Sequence, residues 1–220
     1  LPDIQPDLQE ALDLGIVLFA GEGEERIDGL LRDAADGTLR PIYNYLDNLP
    51  GLEGAPLPFL PRSHLERSIG VQTSLDAGRG CPFKCSFCTI INVQGRKSRR
   101  RSVDDIECII RANLAQGVTN YFITDDNFAR NKDWEAIFDR LIALREREGI
   151  RLNFTLQVDT LCHKLPHFIE KAARAGATKV FVGLENINPA ALIGAQKNQN
   201  RISDYRKMMQ DWHNAGVIVF

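Results

Sequence analysis

From residue 69 onward the chain repeats one pattern: a short apolar strand, a polar loop, an amphipathic helix and a glycine. Val71 to Leu75 read as the first strand. Thr119 to Thr124, Leu152 to Val158 and Lys179 to Leu184 follow as the second, third and fourth, and Val217 begins a fifth. The intervening helices carry apolar residues at helical spacing: Ile106, Ile109, Ile110 and Leu114; Trp134, Ile137, Phe138, Leu141 and Leu144; Leu165, Phe168, Ile169 and Ala172; Tyr205, Met208, Met209 and Trp212. Ser102 with Asp105 offers a capping box for the first helix, and Ser203 is a candidate cap for the last. Gly117, Gly149, Gly176 and Gly216 close the helices. Such alternation demands a parallel sheet with right-handed crossovers, doubly wound or barrel-like, and places chemistry at the carboxyl ends of the strands.

Those ends hold the polar residues. The first carries Cys81-Pro82-Phe83-Lys84-Cys85-Ser86-Phe87-Cys88, the second Asp125-Asp126-Asn127, the third Gln157 to Asp159 and the fourth Glu185-Asn186. Three thiolates so closely spaced suit an iron–sulfur cluster or zinc, with one coordination position left for a group that is not protein. No histidine adjoins the loop to complete a zinc tetrahedron, although a distant one remains an alternative. Five cysteines, odd in number and clustered, do not form a disulfide framework and suit a reducing cytosol. Cys108 and Cys162 read as small buried hydrophobes.

Upstream, Leu14 to Ala20 form a strand-length apolar run, followed by Gly21-Glu22-Gly23-Glu24 and a helical pattern with Ile27, Leu30 and Leu31. Two glutamates in that turn repel anions, so it reads as a plain turn rather than a phosphate cradle. Pro41, Pro50, Pro56, Pro58 and Pro61 mark an extended linker that excludes regular helix and central strand. The formal charge of −2 argues against a globally basic nucleic-acid binder, and no apolar run approaches the ~20 residues of a membrane span. A basic run, Arg96-Lys97-Ser98-Arg99-Arg100-Arg101, reads as a solvated loop face or as an anion site; no aromatic residues interleave it for base stacking. The chain opens without methionine and closes inside an apolar run, and both ends look cut.

The spacing Cys81-x-x-x-Cys85-x-x-Cys88 directly after a first strand, with Phe87 before the last cysteine, resembles the radical S-adenosylmethionine (SAM) enzymes. The resemblance covers Ile69 to Phe220. It implies an α/β fold: a partial (β/α)6 barrel of about four and a half βα units, preceded by the end of a doubly wound α/β domain. The implied division is residues 1–39 as the end of a cobalamin-binding-like domain, 40–68 as the Pro-rich linker and 69–220 as a barrel truncated at its C-terminal end. Cys81, Cys85 and Cys88 would hold a [4Fe-4S] cluster whose fourth iron is chelated by the SAM amino and carboxylate groups. Phe87 would pack near the adenine, Asp125 or Asp126 would bind the SAM ammonium in place of the family's Gly-Gly-Glu-like letters, and Glu185 would contact ribose or methionine. No catalytic side chain beyond the cluster ligands is assigned.

The implied activity is reductive cleavage of SAM to methionine and a 5'-deoxyadenosyl radical, in a cytoplasmic enzyme fed by an electron donor such as flavodoxin or ferredoxin and acting on a small-molecule substrate. The upstream piece extends the resemblance to the cobalamin-dependent class, which includes methyltransferases, with cobalamin held mainly by residues outside this chain. Two alternatives stand beside it. One is a non-enzymatic zinc or iron–sulfur electron-transfer module; the other is an RNA-modifying member of the same family, for which the basic run is the only hint.

Overall fold

In a computed structural model, which describes residues 5–67 and 71–220, strict alternation along the strands decides how the parallel sheet is used. The sheet contains β3 (Gln72–Leu75), β6 (Asn120–Ile123), β7 (Asn153–Val158), β8 (Ala177–Val182) and β9 (Ile218–Val219) in that spatial order, all parallel. In β3, β6 and β7 every second residue is buried. A doubly wound sheet, covered on both faces, would read as continuous apolar runs. Here only one face packs on helices and the other, carrying Ser74, Phe122, Gln157 and Phe181, faces the concave interior of a partial barrel.

The helices on the outer face are α5 (Val103–Leu114), α6 (Trp134–Glu146), α7 (Phe168–Ala175) and α9 (Ile202–Asn214). Their apolar stripes bury Ile106, Ile109, Phe138, Leu141, Phe168, Met208 and Trp212 against Tyr121, Phe154, Leu156 and Val180 of the sheet. Aromatic rings tie neighbouring helices together: Trp134 and Phe168 lie 4.9 Å apart, and Phe168 meets Trp212 edge-on at 6.2 Å. Such pairs add about 0.5–1.5 kcal/mol each beyond area burial. The capping box of α5 forms as read from sequence, with Ser102 Oγ accepting from Asp105 N and Asp105 accepting from Ser102 N. Ser203 does not cap α9: the helix begins a residue earlier, with Arg201 at the N-cap, and the Ser203 hydroxyl bonds Asp204. Cys108 is exposed on α5 rather than buried, whereas Cys162 is fully buried.

The N-terminal piece comprises α1 (Pro6–Asp13), β1 (Leu18–Ala20), α2 (Ile27–Ala35) and β2 (Ile42–Asn44), the two strands pairing in parallel. β2 and the short α3 (Arg62–Leu65) lie inside the stretch expected to be wholly extended. Both are compatible with its prolines, because Pro41 stands just outside the strand and Pro61 occupies the N-cap of the helix, where a missing N–H costs nothing. The segment is strapped to the barrel: Arg62 Nη1 donates to the Gln116 carbonyl at 2.7 Å, and Gln116 Nε2 donates to the Leu60 carbonyl at 2.9 Å. The expected boundary between residues 68 and 69 lies outside the described residues.

Candidate radical SAM site

The loop leaving β3 is shaped before it reaches the first cysteine. β4 (Gly78–Arg79) pairs antiparallel with β5 (Arg99–Arg100), so the cysteine loop and α4 (Ile90–Val93) form a closed excursion between two pinned ends. Gly80 has φ +92°, and a Cβ there would sit 2.4 Å from the Lys97 carbonyl oxygen. Only glycine takes that turn without displacing backbone.

Beyond it, Cys81, Cys85 and Cys88 line one cavity of about 380 Å³ at the carboxyl rim of the sheet, together with Phe87, Asp126, Glu185, Lys197 and Gln199. Burial pushes the Cys81 thiol pKa up from its ordinary value. Among the described residues no three His, Cys, Asp or Glu side chains gather as ligands of a single metal ion. A zinc site needs all its ligands about 2.0–2.3 Å from one centre, whereas a cubane cluster spreads three thiolates over three irons. Three thiols on one cavity wall are a donor set that a cluster of this kind can use, one thiolate to each of three irons.

The two aspartates after β6 part company. Asp125 is fully buried and turned back under the loop, accepting from Ala77 N at 2.6 Å and from Asn131 Nδ2 at 3.3 Å. Burial raises its pKa to about 7 against the backbone bonds that favour the anion. It does not line the cavity. Asp126 does, and its Oδ2 is buried with no hydrogen-bond partner. Burial raises its pKa as well.

Glu185 adopts a left-handed φ of +59° and accepts from Lys197 Nζ at 2.5 Å. Strained non-glycine backbone of this kind concentrates where a side chain must be aimed. The Lys197 ammonium also stands 5.6 Å from the centre of the Phe87 ring, whose face is half exposed in the cavity mouth. On the opposite wall Asp159 is clamped by Arg130, with Nε at 2.5 Å and Nη2 at 2.8 Å, and by Asn127 Nδ2 at 2.9 Å. Asp159 thus serves as a positioning anchor, while Gln157 lines the cavity.

The basic run is neither one solvated face nor one anion site. Arg99 is paired with Glu22, Arg100 with Asp133 at 2.8 Å and Arg101, almost fully buried, with Asp76 at 3.0 Å. Glu22 of the acidic turn is the internal partner of Arg99, which together with the pairing of Arg100 and Arg101 leaves Arg96 and Lys97 as the run's exposed cations.

The family model for the radical SAM superfamily matches residues 76–220, from the end of β3 through every strand end just described. The chain belongs to the radical SAM superfamily. Among its relatives, bacteriochlorophyllide d C-12(1)-methyltransferase of Chlorobaculum tepidum is 26% identical over 205 residues, covering 90% of this radical SAM chain and 44% of the relative. The hopanoid C-2 methylase of Rhodopseudomonas palustris is 30% identical over 198 residues, covering 83% of the chain and 35% of that protein. This chain therefore spans less than half the length of these curated relatives. Of solved structures, the radical SAM methyltransferase TsrM from Kitasatospora setae, with cobalamin and a [4Fe-4S] cluster bound, aligns with a TM-score of 0.60 at 19% identity. It covers 67% of this chain and 28% of TsrM, a likeness of fold.

Sequence reasoning missed Lys197 and Gln199. They lie in an aperiodic loop after α8 (Pro189–Gly194), itself a helix not expected, and no local pattern marks them as neighbours of a cysteine loop more than a hundred residues earlier. The one available signal was a lysine and amides crowded between two helices just after the fourth strand end.

Proposed function

We propose that this chain carries the cluster-binding and SAM-binding part of a cobalamin-linked radical SAM methyltransferase acting on a small molecule. The observation that supports this reading is the meeting, in one cavity, of three thiols, the Asp126 carboxylate and the Lys197 ammonium. Cys81, Cys85 and Cys88 would each hold one iron and leave the fourth open. When bound and reduced, such a cluster supplies the electron that cleaves a carbon–sulfur bond of SAM.

The protein's own side chains do the positioning. Asp126, which lines the cavity, takes the SAM ammonium on its carboxylate in a charge-assisted bond. Lys197 is the cation placed to meet the carboxylate, with Glu185 holding it from the other side and free to reach ribose hydroxyls. Phe87 offers its open face to the adenine. Asp125 supports the loop from beneath and makes no contact with the ligand.

The methyl-transfer outcome and the cobalamin rest on the named relatives, and cobalamin would be held mainly by residues outside this chain. A cytoplasmic setting, with a flavodoxin or ferredoxin as electron donor, accords with three oxygen-sensitive thiol ligands. Among the described residues no helix is long and apolar enough to cross a membrane. Incubating the anaerobically reconstituted, reduced full-length protein with SAM labelled in its methyl group tests the reading. Reduction-dependent consumption of SAM, with label passing to a cobalamin or a substrate, supports it. Full cluster loading with no SAM turnover under any reductant would refute it.

A further inference from the structure

The segment 195–200 lies against the cysteine loop. Ser86 N donates to the Ala195 carbonyl at 3.0 Å, and Lys197 covers Phe87. Gln199 is 8% exposed, unusually deep for an amide, and its Nε2 lies 3.4 Å from the equally buried Cys85 Sγ. Its backbone is pinned, since Thr160 Oγ1 donates to the Gln199 carbonyl at 3.3 Å and Asn200 Nδ2 donates to the carbonyls of Gly183 and Leu184 at 2.9 and 2.8 Å. The amide has been carried to the thiol by a fixed frame.

Burying an amide costs roughly 1–3 kcal/mol unless it is bonded, and Cys85 sulfur is the partner this donor has. A neutral thiol is a weak acceptor; a metal-bound thiolate is a strong one. The reverse orientation of the amide would set its oxygen against that thiolate, so the N–H orientation is the one charge selects. The comparable amide of Asn127 reaches Cys81 Sγ at the longer distance of 4.0 Å, while its nitrogen also donates to Asp159 at 2.9 Å. Cys85 thus receives the closer of the two side-chain amides that reach the cysteine loop.

We propose that Gln199 is a positioning residue that donates a hydrogen bond to the cluster ligand Cys85 and thereby raises the reduction potential of the cluster. The inference rests on the cluster reading above. Reduction adds one negative charge, shared by the sulfurs, so an N–H dipole aimed at a thiolate favours the reduced state over the oxidised one. Removing the donor makes the cluster harder to reduce.

The test is an EPR-monitored redox titration of the anaerobically reconstituted full-length protein without SAM, comparing wild type with Gln199→Met and Gln199→Leu. Met keeps the length and Leu the bulk; neither can donate. The expected result is wild-type iron content with a lower midpoint potential in both variants, by roughly three- to tenfold in the one-electron equilibrium, tenfold being about 59 mV. Equal or higher potentials at full iron content would overturn the proposal. So would failure of both folded variants to take up iron, since the amide would then be needed for assembly rather than tuning. A wild-type protein that binds no cluster would sink the underlying reading instead, and iron analysis of that sample alone tells the two failures apart.

Discussion

Arg79 and Glu22 meet at 2.7 Å across fifty-seven residues of chain, and the contact joins the N-terminal piece to the last turn before Cys81. The same guanidinium bonds Glu24 at 2.6 Å and Asp76 at 2.7 Å, while Glu22 also holds Arg99 on the return strand of the loop. The acidic turn after β1 thus clamps both ends of the cysteine excursion.

Cutting that clamp by Arg79→Met leaves two mostly buried glutamates without their shared cation. The expected loss is about 3 kcal/mol, at the low end for removing one partner of a buried pair. Urea unfolding of the apoprotein measures it. A double substitution with Glu22→Gln should cost less than the sum of the two single changes, because the second removes a charge that has already lost one of its two arginines. Strict additivity would show that the clamp is not an energetic unit.

Neighbouring aspartates give opposite outcomes on ligand binding. Asp126→Asn removes an anionic group from the cavity lining, and SAM affinity for the cluster-loaded protein should fall about tenfold to a hundredfold, the worth of one charged hydrogen bond. Asp125→Asn should leave affinity within about threefold, because its carboxylate is turned toward Ala77 and Asn131. Equilibrium binding by calorimetry or filtration distinguishes them, and an equal loss in both would contradict the assignment.

Asp125 should instead reveal itself in the pH dependence of folding. Its folded-state pKa of about 7 lies above the ordinary carboxylate value, so between pH 4 and 7 the unfolded chain releases this proton and the folded chain keeps it. Its contribution to stability is full below about pH 4, declines by up to about 1.4 kcal/mol per pH unit across that window and is level above it. Asp125→Asn should abolish this slope, so the stability difference, wild type minus variant, shrinks as pH rises from 4 to 7. A constant difference would show that the burial of this carboxyl is not what sets its proton affinity.

These contrasts mark where local pattern was sufficient and where it was not. Ser102 and Asp105 were legible as a capping box because both partners lie within one turn, and the third strand, read as Leu152 to Val158, falls on Asn153–Val158. Three cysteines on one loop carried their own message. Adjacent Asp125 and Asp126 could not be told apart from sequence, since the turn after Ile123 sends one beneath the loop and the other into the cavity. Arg99 and Arg101 looked like solvated charge because their partners, Glu22 and Asp76, are fixed only by tertiary pairing. Lys197 and Gln199 sit in a loop with no periodicity, and their roles exist only once α8 and α9 are in place.

Lys197 offers a further discrimination. Among the described residues it is the sole Lys or Arg lining the cavity, and Lys197→Met removes the countercharge for a carboxylate while releasing Glu185. SAM binding should weaken by about tenfold or more. An analogue lacking the carboxylate should bind wild type and variant alike. If the variant loses equal affinity for both ligands, Lys197 supports the cavity rather than reading the carboxylate.

The central claim is that Cys81, Cys85 and Cys88 hold a cluster with one iron open to SAM. The most direct measurement is the EPR spectrum of the reduced, anaerobically reconstituted protein with and without SAM, beside iron and sulfide analysis. About four irons and four sulfides per chain, a signal that changes shape on adding SAM, and loss of both in Cys85→Ala are the predicted result. One tightly held zinc in place of iron, or a cluster spectrum indifferent to saturating SAM, would contradict it.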